Sequence, residues 1–187
     1  MLLSDRELDD IVKQTKTGTR LPMEHADQAF FEAARAGAAK LNIPFEPISS
    51  SIQRNRRLYS FQRTAFSLSL MLRTHGSESA LGVGRMLLTR ERMRTAVRGA
   101  HNVLQELGEP SPLSNAMLKK LAKGNVDELA TSSEQLQAAY QLATKAVDAE
   151  GSRLAKTLIE LHGREKARAY MLGLEKLHER ITVRTMI

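Results

Sequence analysis

Apolar residues recur at three- and four-residue steps along most of this chain, the spacing that gathers them on one face of an α-helix. Ser4-Asp5-Arg6-Glu7 ahead of Leu8, Ile11 and Val12 has the form of a capping box and predicts a short first helix, ended by Thr17, Gly18 and Thr19. Pro22 is placed to open a second helix with Ala26, Phe30, Ala33, Gly37 and Leu41 as its stripe. The pattern then stops over residues 43–53, where Pro44, Pro47 and the serines at 49 to 51 read as an extended connector.

A third helix is predicted from about Arg57 to Thr74, with Leu58, Phe61, Ala65, Leu68 and Leu72 in register and Gly76 as its stop. Phe66 and Leu70 widen that stripe, which implies burial against two neighbours or against another copy of the chain. Ser77 is a candidate cap for a helix containing Gly82 and Gly84, each of which weakens it by roughly 1 kcal/mol, and Gly84 is a candidate break. Met86, Met93, Val97, Ala100, Leu104 and Leu107 share a narrow arc at about 100° per residue and predict one core-facing helix.

Gly108, Pro110 and Pro112 end that helix, and Ser111 is the expected cap of the next, which contains Met117, Leu118 and Leu121 and stops at Gly124. Thr131 with Glu134 is a second capping-box candidate, opening a long helix through Leu136, Tyr140, Ala143, Val147, Leu154, Leu158 and Leu161. Gly151 allows either a tight crossing or a bend in it. After Gly163, a final helix carries Ala167, Met171, Leu174, Leu177 and Ile181. The expectation is an all-α, single-domain bundle of about six to eight helices with a long C-terminal helix or helical hairpin. It divides into an N-terminal segment (1–42), a connector (43–53) and a main helical domain (54–187). The C-terminal stripe serves equally as an intramolecular hairpin or as the seam of a homo-oligomer, and the latter is expected.

Composition agrees with helices. The chain is 42% hydrophobic but only 4% aromatic, with no tryptophan, so its core must be built from leucine, alanine and methionine. The absence of cysteine removes disulfides, thiolate metal ligands and thiol catalysis. No apolar run approaches a bilayer span, and Met1 to Asp5 does not begin an export signal, so a cytoplasmic protein without membrane association is expected.

Charge adds the one strong functional signal. Residues 54–98 hold ten arginines, no lysine and only Glu78 and Glu91, a net charge of +8 in a chain of +7 overall. The bias is local, because residues 1–53 have three lysines and three arginines, and residues 99–187 have seven and five. A guanidinium grips phosphate through a planar fork of donors, so an arginine-only block implies geometry as well as sign. Candidate phosphate contacts are Arg54, Arg56, Arg57, Arg63, Arg85, Arg90, Arg92, Arg94 and Arg98. On the predicted helix Arg90, Arg94 and Arg98 share a flank with His101, while Arg85 and Arg92 occupy the other. Lys119, Lys120 and Lys123 form a second, smaller basic cluster. The expected role is a non-enzymatic DNA- or RNA-binding accessory protein in nucleoprotein assembly. The alternative is an adaptor that docks on an acidic protein partner.

Catalytic patterns are weak throughout. The five histidines include no pair spaced to put two imidazoles on one helical face, and no metal or cofactor is expected. His162 before Gly163 reads as a helix terminus, where imidazole favours the dipole. Gly82-Val83-Gly84-Arg85 lacks the lysine, hydroxyl and preceding strand of a phosphate loop, so close helix packing explains it better. Ser67 and Ser69 fall inside a helix expected to be buried, and Tyr170 reads as an amphipathic surface residue.

Overall fold

The computed structural model describes residues 1–16 and 22–185. Among the described residues all regular structure is helical: α1 (Asp5–Thr15), α2 (Pro22–Lys40), α3 (Glu46–His75), α4 (Ser77–Leu87), α5 (Arg90–Glu106), α6 (Asn115–Ala122), α7 (Val126–Thr131), α8 (Ser133–His162) and α9 (Arg164–Thr185). The all-α expectation holds. Ser4 makes the predicted reciprocal capping box with Glu7. Thr17, Gly18 and Thr19 lie outside the described residues, and α1 itself ends at Thr15. Helix α7, unforeseen, is six residues long and too short to show periodicity; Asn125 caps it by accepting the Glu128 N–H at 3.1 Å.

Several boundaries differ from expectation for local reasons. Residues 46–53 of the expected connector are helical. Pro47 sits in the first turn of α3, where its missing N–H costs no hydrogen bond, and Ile48 and Ile52 are buried. Ser77 is the first residue of α4, and Gly76 (φ 89°) holds the cap position. Met86 does not belong to the stripe of α5: α4 ends at Leu87, Leu88 is extended, and Thr89 starts the next helix by accepting the Arg92 N–H at 3.1 Å. Met86 is consequently exposed, and the buried face of α5 is Met93, Val97, Ala100, Val103 and Leu104. Ser114 rather than Ser111 caps α6. Ser132 rather than Thr131 precedes α8 and accepts the Gln135 N–H at 3.3 Å. Neither Gly84 nor Gly151 interrupts its helix, whereas Gly163 (φ 87°) separates α8 from α9.

The chain forms two compact units, whose boundaries fall inside α3 and α8. The first joins Met1–Arg56 to Gly151–Ile187. Its core gathers Leu3, Leu8, Phe30, Ile48, Ile52, Leu158, Leu177 and Ile181. Leu2 wedges between α2 and α9 where Gly37 and Gly173 leave room; a Cβ on Gly37 would come within 2.9 Å of Leu2 Cδ1. Arg180 donates to the Leu3 carbonyl at 3.1 Å and to Asp5, and Arg184 reaches Asp5 and Asp9, so the acidic N-terminus is spent on closing this unit. Tyr170 is not a surface residue. It is fully buried and donates its hydroxyl to the Ala34 carbonyl at 2.6 Å, and burial pushes its phenol well up from the ordinary value.

The second unit is Arg57–Glu150. Its core combines Leu58, Phe61, Ala65 and Leu68 of α3 with the α5 stripe, Leu121 of α6, Leu129 of α7, and Leu136, Leu142 and Ala146 of α8. Gly84 lets α4 approach α7, since a Cβ there would stand 3.0 Å from that of Ala130. Ser67 is exposed, and Phe66 and Leu70 are 40% and 45% exposed, so the α3 stripe is narrower than its sequence implied. No helix among the described residues is long and apolar enough to cross a membrane.

Candidate nucleic-acid interface

Helix α5 stands on its core stripe with Arg90, Arg94, Arg98 and His101 along one flank, at steps of four, four and three. Arg90 and Arg98 are exposed, and Arg94 and His101 are half-buried. Helix α6 packs on α5. Its last turn carries Lys119 and Lys120, and Lys123 follows as the C-cap; all three are exposed. Arg90 makes the junction. Its Nε donates to the Lys123 carbonyl at 3.3 Å, a cation at the electronegative end of α6. Gly124 (φ 68°) permits the approach, because a Cβ there would sit 2.7 Å from the Arg90 carbonyl oxygen. The two basic clusters are therefore parts of one pair of packed helices.

These cations differ from others in how they are used. Among the described residues, Arg90, Arg94, Arg98, Lys119, Lys120 and Lys123 take part in no ion pair, whereas Lys40, Arg180 and Arg184 are each held by carboxylates. Arg85 also has a partner. It lies on α4, not on a flank of α5, and its Nε and Nη2 donate to the two oxygens of Asp127 on α7, each at 2.9 Å. That bidentate hydrogen bond draws the Asp127 carboxyl below its ordinary value and raises the Arg85 guanidinium. The fork of Arg85 is thus occupied, and with Asp127 it forms a neutral pair on the surface.

Arg56 leaves the candidate surface altogether. It is 4% exposed, inside the first unit, where Nε meets Asp27 at 3.1 Å, Nη1 meets His178 Nδ1 at 3.0 Å, and the guanidinium lies over the Phe30 ring. A guanidinium so enclosed cannot reach a phosphate. Arg54 is exposed in the first unit, and Arg57 and Arg63 are exposed in the second. Arg92 is half-buried, its backbone N–H tied to Thr89. Arg90, Arg94, Arg98, His101, Lys119, Lys120 and Lys123 thus lie on α5 and at the C-terminal end of α6, Arg92 lies on a different side of α5, and Arg54, Arg56, Arg57, Arg63 and Arg85 lie on other helices. The sequence offered no sign of Asp127 as the partner of Arg85, which is 42 residues away.

Among the described residues no group of three histidine or acidic side chains converges as metal ligands do. The chain matches no known protein family, and no curated protein or solved structure is significantly similar to it.

Proposed function

We propose that this protein is a non-enzymatic nucleic-acid-binding protein, an accessory of nucleoprotein assembly that contacts phosphates through α5 and α6. The observation that carries the reading is the set of six cations on and at the end of these two packed helices that, among the described residues, no carboxylate holds in an ion pair. Phosphate contacts from mobile cations release counterions, so affinity falls steeply with salt. The test is fluorescence anisotropy with labelled single-stranded DNA, duplex DNA and RNA over a range of salt, comparing the wild type with Arg90→Gln, Arg94→Gln and Arg98→Gln combined. Each lost contact lowers the salt slope by about 0.9 while the helical circular dichroism persists. Absence of binding to all three polymers near physiological salt overturns the reading.

A second reading, an oligomeric adaptor for an acidic protein, is favoured by α9. Ala169, Leu172, Lys176, Glu179 and Val183 form an exposed stripe at three- and four-residue steps, and the helix carries an open depression lined by Arg164, Glu165, Arg168, Ala169 and Leu172. An antiparallel copy sets Lys176 against Glu179 and Leu172 against Val183. Sedimentation showing a dimer, with no affinity for nucleic acid, selects this reading.

A further inference from the structure

Helix α3 presents a face that the α5 and α6 cations do not use. Phe66 and Leu70 are 40% and 45% exposed. The Phe66 ring lies 6.0 Å from that of Tyr140 on α8, tilted by 43°, and the guanidinium of Arg63 stands over it at 5.7 Å. Leu70 and Arg73 continue the face at steps of four and three, and Arg73 is exposed. From Pro47 to Ser77 the chain contains no acidic residue, and among the described residues neither Arg63 nor Arg73 is held in an ion pair.

We propose that this face is a stacking platform for single-stranded nucleic acid, with Phe66 receiving a base, the half-buried Tyr140 supporting its ring from α8, and Arg63 and Arg73 receiving the flanking phosphates. The inference rests on the nucleic-acid reading above and adds the polymer that is preferred. In a duplex the base faces are hidden in the stack, so an exposed aromatic ring discriminates in favour of single strands. Arg63 and Arg73 are separated by ten residues, roughly 15 Å along the helix, which suits a short run of nucleotides. A guanidinium already lies over the ring, and bases extend such a stack through their own π-faces. An acidic protein helix docks differently, by sinking apolar anchors into a groove. Here the exposed groups are the Phe66 ring and Leu70 between two guanidinium forks, and the forks with the ring fit planar bases joined by phosphates.

The chain has no tryptophan, so Phe66→Trp places a single indole, excited selectively over the tyrosines at the red edge of absorption, at the proposed platform. Its emission is expected to be quenched by an oligothymidine strand and left unchanged by a hairpin duplex. Phe66→Leu, which retains an apolar side chain, is expected to weaken single-strand binding about tenfold while the salt slope and duplex affinity stay at wild-type values. Unchanged single-strand affinity in Phe66→Leu, with the wild type binding both polymers, overturns the platform alone. A wild type that binds neither polymer overturns the phosphate-contact reading and the platform with it. Loss of poly-glutamate binding in Phe66→Leu, with oligothymidine binding intact, overturns the proposal by assigning the face to an acidic polypeptide.

Discussion

Arg56 Nη1 lies 3.0 Å from Nδ1 of His178, and this contact fixes the chemistry of the imidazole. A guanidinium only donates, so Nδ1 must be the accepting, unprotonated nitrogen. The proton then resides on Nε2, which faces Asn55 Oδ1 at 3.3 Å. The ring stacks on Phe30 with centroids 4.2 Å apart. His178 is therefore a neutral, oriented member of the core, beside a cation that is itself held by Asp27.

Burial first, and the charge of Arg56 second, hold the His178 imidazole well below its ordinary value. As pH falls through about 6.5 the unfolded chain takes up a proton at this position and the folded chain does not, so stability falls with pH. The contribution is complete above that value and is lost as pH drops towards the folded-state value. Denaturant unfolding between about pH 7.5 and pH 5.5 checks this. The slope of stability against pH in that window should flatten in His178→Phe, even though that variant is less stable overall through loss of the acceptor for Arg56. An equally steep slope in the variant assigns the dependence to other groups.

The same contact shows what was legible in the sequence. The helical class, the capping box at Ser4 and the stops at Gly76, Gly124 and Gly163 follow from local chemistry and appear where predicted. Arg56 and Arg57 are adjacent and chemically alike, yet one is buried and the other exposed. Ile48, Ile52 and Arg56 recur at four-residue steps on the buried face of α3, a signal obscured by reading the two prolines and three serines as a connector. The partners of Arg56 could not be read in this way, since Asp27 and His178 are 29 and 122 residues distant. Tyr170 reads as an amphipathic surface residue for a similar reason: Ala34, whose carbonyl receives its hydroxyl, is 136 residues away.

Gly173→Ala should destabilise the first unit by about 1–3 kcal/mol, because the new Cβ overlaps the Leu2 side chain and helix α9 cannot recede without opening its contact with α2. Leu2→Ala empties the same slot and should offset part of that loss. Urea unfolding of both single variants and the double variant reads the coupling, expected to exceed about 0.5 kcal/mol. Simple additivity would show that Leu2 does not occupy the slot in solution.

Gly124→Ala combines two penalties, a side chain at φ 68° and a Cβ 2.7 Å from the Arg90 carbonyl oxygen. Together they should cost about 1–3 kcal/mol in the second unit. If α5 and α6 form the phosphate surface, the displacement of Arg90 from Lys123 also weakens binding. Gly108→Ala has a comparable φ of 66° but no neighbour within 4 Å, and so supplies the backbone penalty alone. Thermal melts of the two variants should differ, with Gly124→Ala the lower.

Asp127→Asn tests the accounting of charge from the opposite direction. The carboxylate accepts from Nε and Nη2 of Arg85, at 2.9 Å each, and both side chains are more than half exposed, so losing the pair should cost little stability. Removing its charge frees a guanidinium in the same unit as α5 and α6 and makes that unit one charge more positive. On the phosphate-contact reading, nucleic-acid affinity should rise at low salt, and the salt slope should steepen by up to about 0.9 if Arg85 acquires a phosphate. Adding Arg85→Gln to Asp127→Asn should then restore the wild-type slope. Anisotropy titrations at several salt concentrations distinguish this from a general field effect, in which affinity rises but the second substitution leaves the slope unchanged.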